Sequence, residues 1–148
     1  MQRLIDYINN KTGKTLDEAG VRMLNPLVLA YIGDTIYDLF VRTFLIHRYD
    51  TSVHQLHIKS ISYVQASSQA AILDSISSLL TEEENYIVKR GRNARSGTIP
   101  KNADIAEYHR ATGFEALLCY LFLTGQEDRL YQIMDFIFEA KDEMEERK

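Results

Sequence analysis

Residues 25 to 46 read NPLVLAYIGDTIYDLFVRTFLI. Asn25 followed by Pro26 is a helix start: the amide oxygen can cap free N–H groups, and proline supplies a helical φ where no hydrogen bond is needed. From Leu27 to Ile46 apolar residues run almost all round the helix, a pattern that predicts a buried helix at the centre of a bundle. Gly33-Asp34 interrupts it. An unpaired carboxylate among apolar neighbours is costly, so Asp34 calls for a partner.

Working outward, the pattern is helical nearly throughout. The stretch YDTSVHQLHIKSISYVQASSQAAILDSISSLL predicts a short helix continued by a longer one, with small residues in the middle that let neighbours approach. Thr81 with Glu84 three residues on is a capping box, and the helix it opens should stop near Gly91. RGRNARSGTIPKN, from Arg90, is a basic loop. Asn102 is placed to cap the next helix, which ends at Gly125. A last amphipathic helix runs from about Gln126 into a charged tail, KDEMEERK, expected to fray from about residue 142. Residues 1–24 predict one or two short outer helices. No strand pattern stands out, so residues 1–148 read as a single all-α domain.

The chain has 148 residues, 45% of them hydrophobic, with 7 glycines and 2 prolines. That supports one helical domain with a real core. One cysteine, Cys119, excludes an internal disulfide framework and a cysteine-based zinc site. The sequence predicts neither a membrane span nor a signal peptide, so a cytoplasmic protein is expected. The net charge of −4 hides an asymmetry. Between Lys89 and Arg110 six basic residues face two acidic ones, a local +4, whereas Glu127 to Lys148 carries eight acidic and four basic residues. A basic loop on an acidic protein suggests an anionic partner.

A second misplaced acid, Glu115, lies in TGFEALLCYLF. Two carboxylates from different central helices would make a hard-oxygen site of the kind Mg2+ uses, with waters completing the shell. Such an ion can activate water for phosphoryl displacement. Spacing alone leaves open that each acid pairs with an arginine or caps a helix. Asp104, eleven residues before Glu115, lies roughly 16 Å up the helix axis, too far to share one ion. Cys119 reads as a packing residue. His47, His54 and His57 form no HExxH pattern and read as solvated or structural.

LAYIGDTIYDLFVR resembles the signature helix of ribonuclease III domains, and FEALLCYLFLTG resembles their second signature helix. The run KRGRNARSGTIPKNADIAEYHRATGFEALLCYLF is similar to a narrower group, Mini-ribonuclease III, which has the catalytic domain without a double-stranded RNA-binding domain. The resemblance spans about residues 24–135 and implies a homodimeric helical endonuclease domain. It implies Mg2+-dependent hydrolysis of double-stranded RNA, with Mn2+ able to substitute, leaving 5′-phosphate ends. Asp34 and Glu115 fall on the family's metal-ligand positions. Two further carboxylate positions of the family hold Ala30 and Thr112 here. Lys89, Arg90, Arg92, Asn93, Arg95, Ser96 and Lys101 in the basic loop, and Lys59 and Ser60 upstream, are the candidate RNA-binding residues. Gln65, Ser68 and Gln69 extend that upstream surface. The narrower group implies maturation of a 23S ribosomal RNA precursor, with a large-subunit ribosomal protein as a partner through the RNA. The two missing carboxylates leave a non-catalytic double-stranded RNA-binding dimer as the alternative.

Overall fold

The computed structural model describes residues 1–95 and 98–147. Eight α-helices are found among them: α1 (Gln2–Thr12), α2 (Glu18–Arg22), α3 (Pro26–Arg48), α4 (Val53–Val64), α5 (Ala66–Ile76), α6 (Glu82–Arg92), α7 (Ile105–Leu123) and α8 (Glu127–Glu146). A short 3₁₀ turn, Ser77–Leu79, follows α5. No strand occurs among the described residues, so the fold is all-α, as the sequence predicts.

α7 is the axis of the bundle. Every residue from Ala111 to Leu121 except Glu115 is buried, because α3, α5, α6 and α8 all pack on it. α3 is the longest helix. Asn25 caps it by accepting from Leu27 N–H at 2.9 Å, with Pro26 in the first turn. Its inner face, Leu29, Gly33, Ile36, Tyr37, Val41 and Leu45, is buried. Its other side is not: Tyr31 is 75% exposed and Leu39 61%. The all-round apolar pattern therefore marks a helix with one face in the core and one face open.

Two glycine crossings set the helix spacing. At Gly33 the α3 backbone lies directly on Glu115 of α7; a Cβ there would overlap the Glu115 carbonyl. On the other side of α7, Gly91 of α6 meets Gly113, and a Cβ on Gly91 would lie 2.7 Å from Gly113 Cα. Tyr37, fully buried, packs edge-on against Phe114 with ring centroids 4.9 Å apart and donates to the Tyr63 carbonyl at 3.0 Å. That contact ties α3, α4 and α7 together one turn beyond the Gly33 crossing.

The Thr81–Glu84 capping box is present. Glu84 also holds Arg129 of α8 through Nε and Nη2, each at 2.8 Å. Gly125 takes a left-handed φ of 73° just past α7, the stop expected of it.

Elsewhere the chain departs from expectation. Asp104, not Asn102, caps α7, accepting from Glu107 N–H at 2.9 Å, while Asn102 makes the preceding turn at φ 71°. α4 and α5 are of nearly equal length, 12 and 11 residues, split at Gln65, whose extended backbone breaks the helix. α8 carries on through the tail expected to fray, as far as Glu146. There Lys141 is buried over the Tyr63 ring, Arg48 pairs with Asp142 at 3.0 Å, and Met144 packs on the core.

Substituting Gly33→Ala should destabilise the protein by at least about 2 kcal/mol, since the new methyl meets backbone that cannot step aside. Urea unfolding measures this; an unchanged midpoint would contradict the close crossing.

Candidate active site

The crossing at Gly33 decides where two acids go. Asp34 follows the glycine on α3, and Glu115 is the α7 residue whose backbone Gly33 touches. The two carboxyl groups come within hydrogen-bonding reach of each other. They are not alike. Asp34 lies on the open side of α3 and is exposed; Glu115 is partly buried. The sequence predicts two inward acids, but only Glu115 is inward, because Asp34 sits on the α3 face that no helix of the protomer covers. Burial, and then the charge and hydrogen bond of Asp34, push the Glu115 carboxyl up to about 8. Two like charges this close resist both being ionised, and one proton is retained. Neither acid forms an ion pair with an arginine or lysine among the described residues.

The donor set is two carboxylates. Among the described residues no group of three His, Cys, Asp or Glu side chains gathers. Ala30 is buried, and Thr112 is buried with its hydroxyl donating to the Tyr108 carbonyl at 2.9 Å. Two hard oxygens lacking positive charge fit a small divalent cation that keeps most of its water. Cys119 is fully buried and its thiol is pushed up to about 12 by that burial, so it is a core residue. His47 is tied to the Thr43 carbonyl at 2.8 Å.

The candidate RNA-binding residues divide. Lys89, Arg92, Asn93, Arg95 and Lys101 are exposed, at the end of α6 and in the loop that leads into α7. Because α6 crosses α7 at Gly91 and Gly113, this basic end starts two residues along α7 from Glu115. Arg90 is partly buried and donates through Nη1 to the Arg22 carbonyl, so it fastens α6 to the end of α2. Ser96 lies outside the described residues. Lys59 lies 4.1 Å over the Tyr49 ring. Ser60 is buried and donates to the His57 carbonyl at 2.7 Å; its hydroxyl faces its own helix, because that turn of α4 packs inward. Gln69 is likewise buried, donating to the Val64 carbonyl at 2.9 Å. Gln65 is exposed and Ser68 partly so.

The exposed apolar stripe on α3 is Val28, Tyr31, Leu39 and Ile46; only Tyr31 of these stood out in the sequence as apolar excess fit for an interface. The stripe's signal was the excess of apolar residues over what one buried face requires. The apolar excess in sequence at Tyr31, Ile32, Tyr37, Phe40 and Leu118 fits either a dimer interface or plain core; Tyr37 and Leu118 are core, Ile32 and Phe40 pack at its edge, and Tyr31 projects outward.

The Ribonuclease III domain family matches residues 27–126, a span that contains the crossing, both acids and the basic loop. Mini-ribonuclease 3 of Clostridium tetani is 42% identical over 132 residues, covering 88% of this chain and 87% of that protein. Mini-ribonuclease 3 of Symbiobacterium thermophilum is 50% identical over 118 residues, covering 77% and 91%. A crystal structure of a Fusobacterium nucleatum protein superposes with a TM-score of 0.73 at 27% identity, covering 82% of this chain and 97% of that one. No helix among the described residues is long and apolar enough to cross a membrane. Sequence and fold thus agree over most of the chain, which belongs to the Mini-ribonuclease III group of the ribonuclease III family, endoribonucleases that act on double-stranded RNA.

Proposed function

We propose that Asp34 and Glu115 hold a Mg2+ ion, with Mn2+ able to replace it, beside a phosphodiester of duplex RNA that the protein hydrolyses. The observation that carries this reading is the meeting of the two carboxyls at the Gly33 crossing. When bound, such an ion supplies activated water and stabilises charge at phosphorus in an in-line displacement. The chain's own residues do the rest. Glu115 would release its proton to solvent on holding the ion. Asp34, on the open side of α3, faces the approaching strand. The basic loop holds backbone phosphates on the side where α7 begins. No side-chain nucleophile is required, and the products carry 5′-phosphate and 3′-hydroxyl ends.

The working form is a homodimer, supported by the exposed stripe of α3. Val28, Tyr31, Leu39 and Ile46 are each about half exposed or more, and a two-fold pairing of such a face buries it against itself. A site on each protomer then serves one strand of the duplex. The family resemblance supports a 23S ribosomal RNA precursor as substrate, in the bacterial cytoplasm, shaped by a large-subunit ribosomal protein.

Asp34→Asn and Glu115→Gln should each lower cleavage of duplex RNA by at least about a thousand-fold, ~4 kcal/mol at 1.36 kcal/mol per decade, while both variants fold at least as stably as wild type and RNA affinity stays near wild type. Cutting by either variant at the wild-type rate would remove that residue from the mechanism.

The Glu115 proton has a consequence for stability. The folded, metal-free protein holds it up to about pH 8, against an ordinary glutamate value of 4.5. The folded state therefore binds one more proton than the unfolded chain between those values. This contribution is complete below about pH 4.5 and is lost as the pH rises through 8. The melting temperature of the metal-free protein should fall across that window relative to Glu115→Gln, measured side by side by calorimetry. Parallel curves would mean an ordinary glutamate.

Neutralising Arg92 and Arg95 together should weaken duplex binding and flatten the slope of log K against log salt by up to about two units. A titration series with an unchanged slope would take the loop off the phosphate backbone.

A further inference from the structure

We propose that Tyr108 contacts substrate: its phenol donates a hydrogen bond to a backbone oxygen of the RNA strand, on the path from the basic loop to the acidic pair. The assignment rests on the reading of this protein as a nuclease of duplex RNA. Tyr108 lies on α7 seven residues before Glu115. Seven residues are close to two helical turns, so the two share a face and stand about 10 Å apart along the axis. Between them on that face lie Ala111 and Thr112, 4% and 6% exposed. Moving from Glu115 toward the basic loop, Tyr108 is therefore the first side chain of this face that reaches solvent.

Its phenol is also uncommitted. Two of the three buried tyrosines spend theirs, Tyr37 on the Tyr63 carbonyl and Tyr120 on Glu18 and Glu83. Among the described residues the Tyr108 hydroxyl has no hydrogen-bond partner, and its ring rests edge-on against His109 at 5.9 Å.

A strand anchored on the loop, with its scissile phosphate at Asp34 and Glu115, passes the end of this face at which Tyr108 emerges. Double-stranded RNA offers such a donor two acceptors there, a phosphate oxygen and a 2′-hydroxyl. The separation from Glu115 places the contact beside the scissile phosphate rather than on it. Tyr108 thus holds the strand in register and leaves the chemical step to the acids.

The test is Tyr108→Phe, which keeps the ring. Anisotropy binding without metal and steady-state cleavage with Mg2+ are measured on one duplex and on copies carrying a single 2′-deoxy or a single methylphosphonate near the cleavage site. The dissociation constant and KM should rise about ten-fold, as for a lost hydrogen bond to a backbone group, with kcat/KM falling mainly through KM. One modification should cost wild type a similar factor and cost the variant nothing further. That coupling, which a merely structural role does not produce, tells 2′-hydroxyl from phosphate. A variant that binds every duplex as wild type does, or modifications costing both proteins equally, overturns the assignment. Binding needs no cleavage, so an Asp34→Asn protein that still cuts would sink the metal-site reading without touching this one. A wild-type protein with no affinity for duplex RNA overturns both.

Discussion

α3 and α7 touch backbone to backbone at Gly33, and the site follows from that contact. Packed helices usually stand 8–10 Å apart, held off by the side chains between them. Removing the side chain at one position lets α3 settle onto Glu115. The residue after the glycine then projects beside the Glu115 carboxyl instead of a full side-chain layer away. Tyr37 and Phe114, packed edge-on one turn along, hold the crossing at that depth. The Gly91–Gly113 contact does the same on the opposite side of α7 and brings the basic end of α6 close to the same stretch of helix.

The geometry creates an electrostatic debt. One acid is exposed and one partly buried, and no arginine or lysine among the described residues neutralises either. A proton on Glu115 settles it in the free protein. A divalent cation can settle it in a way that also does chemistry, because hard oxygens leave coordination places for water and phosphate. Elsewhere the protein pairs its buried charge within the fold: Glu84 is buried and holds Arg129 through two nitrogens. The contrast separates an ion pair that serves the fold from an acid pair that serves a ligand.

Much of this was legible in the sequence because it depends on local rules. Asn25-Pro26, the Thr81–Glu84 box and Gly125 mark helix ends through backbone chemistry that any tertiary setting preserves. The two acids were legible as misfits in apolar helices. What was not legible depends on which face of a helix is covered. α3 is apolar all round, and periodicity cannot tell a wholly buried helix from one with a stripe left open, so Asp34 was expected inward and stands exposed. Ser60 and Gln69 were read as polar surface, yet their small or flexible polar groups are satisfied by nearby carbonyls and turn into the packing. Arg90 looked like its neighbours Lys89 and Arg92, but the end of α2 lies within its reach. Asn102 and Asp104 are both good caps, and a left-handed turn at Asn102 gave the role to Asp104.

The measurement closest to the heart of this account is a carbon-13 NMR titration of the Glu115 side-chain carboxyl, with and without Mg2+. A proton held by burial and by the neighbouring Asp34 predicts a midpoint near 8 in the metal-free protein, and a clear displacement to lower pH once Mg2+ is added. A midpoint close to 4.5, indifferent to the ion, would mean that the two acids do not share a site.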